Sequence, residues 1–129
     1  MIYLDSSAIV KLARQEAETN ALRAWLAENS QPMVASALAR TETTRALRRS
    51  QPSAVNVLRA VLALLHQKPV TDAVLDAAAD LPGPALRSLD AIHLATAEDL
   101  RPVLTWFVAY DKRLLAAARM RGLPVASPT

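Results

Sequence analysis

The stretch Val103-Leu104-Thr105-Trp106-Phe107-Val108-Ala109-Tyr110-Asp111 decides the fold class. It is almost wholly apolar, rich in β-branched and aromatic residues, and ends on a carboxylate. A strand covered on both faces reads as such a run, and a strand with one face in water alternates. Covered strands belong to parallel sheets flanked by helices. The opening Ile2-Tyr3-Leu4-Asp5 repeats the pattern in miniature. Shorter strands are expected over 33–35, 68–70 and 125–126, beside those over 1–4 and 103–109. Helical periodicity fills the intervals: 6–14, 18–28, 37–49, 53–65, 72–80, 88–99 and 111–122. Leu22, Trp25 and Leu26 share one helical face; Val57, Val61, Leu64 and Leu65 share another. Thr71 and Ser88 read as N-caps, and Gly122 as a helix stop. Strands alternating with helices predict an α/β fold with a mostly parallel central sheet, in one domain over residues 1–129.

Composition narrows the function. The chain is 52% hydrophobic and 21% charged, which is globular and not disordered. It has no cysteine, which excludes disulfides, thiolate metal sites and a cysteine nucleophile. Its two glycines exclude a glycine-rich phosphate loop. No apolar run reaches the roughly 18 residues of a membrane span. The apolar start breaks at Asp5, unlike a signal peptide. A cytoplasmic protein is therefore expected. The net charge is +3, carried mostly by arginine. The guanidinium fork suits phosphate oxygens. A codon bias towards Arg and Ala explains the same charge equally well.

Four acids stand apart. Asp5 and Asp111 each end an apolar strand. Glu42, between Leu38 and Ala46, and Asp90, between Leu86 and Leu94, lie on inward helical stripes. In open parallel sheets, ligands bind at the carboxyl ends of the strands. Two strand ends and two helix faces thus aim carboxylates at one region. Each also has a local explanation. Asp5 and Asp111 serve as N-caps, Asp90 as a first-turn acid, and Glu42 as a partner of Arg45. Taken together, the four suit a hard divalent cation, Mg²⁺ or Mn²⁺. Zinc is disfavoured, because only His66 and His93 are present. His93 reads as a satisfied packing histidine within reach of Asp90. His66 reads as a dipole partner at a helix end.

These segments resemble a known family. Residues Ile2-Tyr3-Leu4-Asp5-Ser6-Ser7-Ala8 are similar to the opening of a PIN-domain nuclease. Ser88-Leu89-Asp90-Ala91-Ile92-His93-Leu94-Ala95-Thr96-Ala97 resembles its internal motif, and Val108-Ala109-Tyr110-Asp111-Lys112 its last acidic motif. Ala39-Arg40-Thr41-Glu42 fits the helix that bears its glutamate. The chain is most similar to VapC-type toxins. The resemblance implies an α/β/α sandwich and a Mg²⁺- or Mn²⁺-dependent endoribonuclease that cuts structured cellular RNA. It also implies a homodimer neutralised by a VapB-type antitoxin. Asp5, Glu42, Asp90 and Asp111 would then form the catalytic and metal-binding quartet, with Ser7 supporting Asp5. Ala109 departs from the family, which often has Thr or Ser there.

Bare carboxylates repel an RNA backbone, so nearby cations must attract it. Arg40, Arg45, Arg48, Arg49, Arg87 and Arg113 flank the acidic segments and are the candidates. A solvated basic face explains any one of them as well. Two rivals remain. One is a PIN-like module that binds RNA or protein without cutting. The other is a receiver-like signalling domain, which needs adjacent acids after its first strand; Asp5 is flanked by Leu4 and Ser6.

Overall fold

A computed structural model describes residues 1–129. The strands are β1 (Ile2–Leu4), β2 (Met33–Ser36), β3 (His66–Lys68), β4 (Trp106–Val108) and β5 (Val125–Ala126). The helices are α1 (Ser6–Ala13), α2 (Thr19–Glu28), α3 (Leu38–Ser50), α4 (Val55–Ala63), α5 (Asp72–Ala79), α6 (Ser88–Asp99) and α7 (Lys112–Met120). The sheet is parallel throughout, in the order β3-β2-β1-β4-β5. Ile2 lies opposite Met33 on one side and Trp106 on the other.

Side chains alternate across a strand, and β1 uses this to build two cores. Ile2 and Leu4 pack with Ala8, Ile9, Leu47 and Leu58 from α1, α3 and α4. Tyr3 faces the other way, with Phe107 of β4, Leu94 of α6 and Leu114 of α7. Helix α5 covers α6 through Val74, Ala78, Ala91 and Ala95. All three residues of β1 are fully buried, which is why its sequence does not alternate. No helix is long and apolar enough to cross a membrane.

Several boundaries differ from the sequence reading. The run over 103–109 supplies only three strand residues. Arg101–Val103 form a turn, and pairing starts at Trp106, because the three-residue β1 sets the length of its neighbour. Strand β3 begins at His66, which therefore pairs with β2 and caps no helix. The helix expected over 53–65 opens with a 3₁₀ turn, Pro52–Ala54, before α4. Ser88 is not an N-cap: Arg87 holds that position without a side-chain bond. Thr71 does cap α5, accepting the Val74 N–H at 3.2 Å. Helix α7 ends with Gly122 at φ 76°. The Gly122 N–H bonds to Arg119 O and the Leu123 N–H to Ala118 O, which closes a Schellman cap.

Candidate active site

The site is built on the carboxyl ends of β1 and β4, neighbours in the sheet. Asp5 follows β1, and its N–H donates to Val108 O at 3.1 Å. Its Oδ1 accepts the Ala8 N–H at 3.0 Å, capping α1, and the Ser7 hydroxyl at 2.6 Å. Ser7 Oγ in turn accepts the Tyr110 N–H at 3.1 Å, so one hydroxyl ties both strand ends together. Ala109 is buried and has no hydroxyl to offer there. Asp111 caps α7, its Oδ1 accepting the Leu114 N–H at 2.9 Å. The capping explanation therefore holds for both aspartates, on one oxygen each. Asp5 is 4% exposed, and its Oδ2 has no hydrogen-bond partner. Asp111 lies in the open.

Asp90 sits half-buried in the first turn of α6. It lines a cleft of about 410 Å³ with Asp111, Arg87, Tyr110, Lys112 and Arg113. Glu42 lines a second cleft with Ser6 and Ser7. Glu42 does not pair with Arg45. Its Oε1 accepts the Ser6 hydroxyl at 2.7 Å and meets His93 Nε2 at 2.5 Å. His93 is 1% exposed and hydrogen-bonded at both ring nitrogens, the second to Tyr3 Oη at 2.7 Å. It is a satisfied histidine, but its carboxylate partner is Glu42 and not Asp90. Sequence reading missed this link, which joins residues 51 positions apart.

The charges act on one another. Burial pushes Asp5 up to about 6, against the hydrogen bonds from Ser7 and Ala8. Burial also raises Asp90, and the Asp111 charge adds to it. Burial works against the Glu42 charge too, but the His93 and Ser6 contacts outweigh it and hold Glu42 below the usual range. Asp90 feels both Asp111 and Glu42, and Asp5 feels Asp90. The four acids thus share one field.

As the side chains stand, no three His, Asp or Glu groups converge closely enough to enclose a metal ion. The donor chemistry nevertheless fits a hard cation. Asp5, Asp90 and Asp111 form no ion pair, and each supplies oxygen ligands.

Among the cations, Arg87 and Arg113 line the Asp90–Asp111 cleft without an ion-pair partner. Lys112, which sequence reading passed over, joins them. Arg40, Arg45, Arg48 and Arg49 are exposed on α3, away from that cleft's lining. On the Glu42 side, Lys11 and Arg14 are engaged by Glu16 and Glu18.

Residues 2–120 match the family model described as PIN domain. The chain is 48% identical over 128 residues to ribonuclease VapC46 of Mycobacterium tuberculosis, covering 99% of this chain and 98% of that one. It is 44% identical over 131 residues to ribonuclease VapC35 of the same organism, covering 99% and 97%. The fold matches the crystal structure of VapBC2 from Rickettsia felis bound to a DNA fragment from their promoter, with a TM-score of 0.78 and 14% identity over the whole of both chains. On this evidence the chain belongs to the PIN-domain family, in its VapC branch.

Proposed function

We propose that this chain is a divalent-metal-dependent endoribonuclease, the toxin of a toxin–antitoxin pair, with Asp5, Glu42, Asp90 and Asp111 as its working carboxylates. The observation that carries the reading is the juxtaposition of Asp5 and Asp111 on adjacent strand ends, within the field of Asp90 and Glu42. Near-full-length identity above 40% to two ribonucleases supports RNA as the substrate.

The oxygens of Asp5, Asp90 and Asp111, with Glu42, would hold Mg²⁺ or Mn²⁺. The chemistry that a cation supplies there is polarisation of a phosphodiester and activation of water. The protein's own groups do the rest. Ser7 fixes Asp5 against Tyr110 and so sets the separation of the two strand ends. Capping bonds orient Asp5 and Asp111 through one oxygen and leave the other available. Arg87, Lys112 and Arg113 bind phosphates flanking the reacting one, because none of them is held in an ion pair. Arg40, Arg45, Arg48 and Arg49 extend this attraction along α3. A VapB-type antitoxin inhibits by bringing a cation to the acids in place of the metal. A homodimer completes the reading.

The test uses antitoxin-free protein, cellular RNA, and Mg²⁺, Mn²⁺ or EDTA. Cleavage should require the metal, and Asp5→Asn and Asp90→Asn should each lose most of it. Cutting that survives EDTA and both substitutions overturns the proposal.

A further inference from the structure

One polar chain runs from the core to the site. Tyr3 stacks on Phe107, with centroids 5.3 Å apart and planes 8° from parallel, which fixes its ring. Its Oη accepts the Ser36 N–H at 3.2 Å, so its own hydrogen is free to donate to His93 Nδ1 at 2.7 Å. An accepting Nδ1 places the ring proton on Nε2. Nε2 then donates to Glu42 Oε1 at 2.5 Å, with Ser6 Oγ also 3.2 Å away. Ser6 donates to the same Glu42 oxygen at 2.7 Å. Contributions from β1, β2, α1 and α6 thus end on one oxygen of one half-exposed side chain. Satisfying the ring alone requires only some acceptor; here the acceptor is one of the four acids. Burying a polar ring in a helix whose neighbours Leu94, Ala95 and Ala97 are also buried is costly unless every polar atom is satisfied.

We infer that His93 and Ser6 form a clamp that positions Glu42, holding Oε1 so that Oε2 alone is presented to the site. The inference rests on the function proposed above. A free glutamate samples many rotamers, and the clamp removes that freedom before substrate arrives. His93 is a positioning residue: it acts through Glu42 and not on RNA. Partners of ligating side chains typically contribute about 10–100-fold to metal affinity or activity.

The test compares the full-length wild type with His93→Gln, His93→Asn and Ser6→Ala. The amide nitrogen of Gln falls near the position of Nε2, and that of Asn near Nδ1. His93→Gln therefore keeps the bond to Glu42, and His93→Asn loses it. Mn²⁺ affinity is read by calorimetry without RNA, kcat and KM with a labelled RNA hairpin, and Tm by melting in EDTA. His93→Asn should bind Mn²⁺ about 10-fold more weakly or worse and lose about 10–100-fold in kcat. Its KM should stay within about two-fold, and His93→Gln should recover most of both losses. Ser6→Ala should weaken Mn²⁺ binding in the same direction. The clamp is overturned if His93→Asn binds Mn²⁺ like wild type. It is equally overturned if both His93 variants lose function alike, in step with Tm. Should neither fold, Ser6→Ala decides, and unchanged Mn²⁺ affinity overturns the clamp. A wild type that binds Mn²⁺ but leaves RNA whole removes the ribonuclease reading and leaves the clamp to the affinity data. A wild type that binds no Mn²⁺ removes both.

Discussion

Asp5 divides its two oxygens between structure and chemistry. Oδ1 caps α1 and receives Ser7; the charge that remains is held in a buried place with no cation paired to it. The raised value, about 6 against an ordinary 3.8, means that the folded state binds the proton more tightly than the unfolded chain. The stabilisation this gives is complete below about pH 3.8 and is lost as pH rises through about 6. The loss is on the order of 3 kcal/mol. Asp5→Asn keeps the accepting oxygen and removes the titration. In EDTA, its stability relative to wild type should therefore rise between about pH 4 and pH 6 and then level off. Urea unfolding of both proteins across that range measures it; a difference that stays flat refutes the shift. Asp5 and Asp111 were legible because Asp5 directly follows β1 and Asp111 ends the apolar run that holds β4, so chain-local pattern places each. The His93–Glu42 contact was not, because it depends on how α3 and α6 settle across the sheet.

At the scale of elements, two caps that look alike in sequence behave differently. Thr71 accepts the Val74 N–H, whereas Ser88 makes no capping bond. Thr71→Ala should cost about 1 kcal/mol, and Ser88→Ala should fall within about 0.5 kcal/mol of wild type. Equilibrium urea melts separate the two. The helices were readable because a helix carries its hydrogen bonds and its apolar period within itself. Strand limits were not, because a strand ends where its neighbour does. Leu104 and Thr105 have the composition of a strand, yet only Met1 precedes Ile2: its carbonyl accepts the Thr105 N–H at 2.8 Å, and the pairing stops there. His66 shows the converse: it enters β3 because Val34 is there to receive it.

For the molecule as a whole, the two acidic clefts differ in the cations that line them. Arg87 and Arg113 are unpaired, whereas Lys11 and Arg14 are tied to Glu16 and Glu18. Alanine at both Arg87 and Arg113 should raise KM for RNA several-fold. It should also flatten the salt dependence of binding by about one phosphate contact per arginine. Fluorescence titrations at several salt concentrations read the slope, and an unchanged slope places the RNA elsewhere. The parallel sheet was legible from strands alternating with helices and from the apolar run that holds β4. Its order was not, since any strand could have stood at the centre.

That order has a consequence for synthesis. Of the five strands, β1 comes earliest in sequence yet occupies the middle of the sheet, and one of its two flanking strands, β4, follows about a hundred residues later. Ser7 waits 103 positions for the Tyr110 N–H that ties the strand ends. While the chain is still being translated, Asp5 has no Asp111 beside it and β1 keeps an open edge. The four acids proposed as the site therefore come together only once the segment that carries β4 and Asp111 is in place.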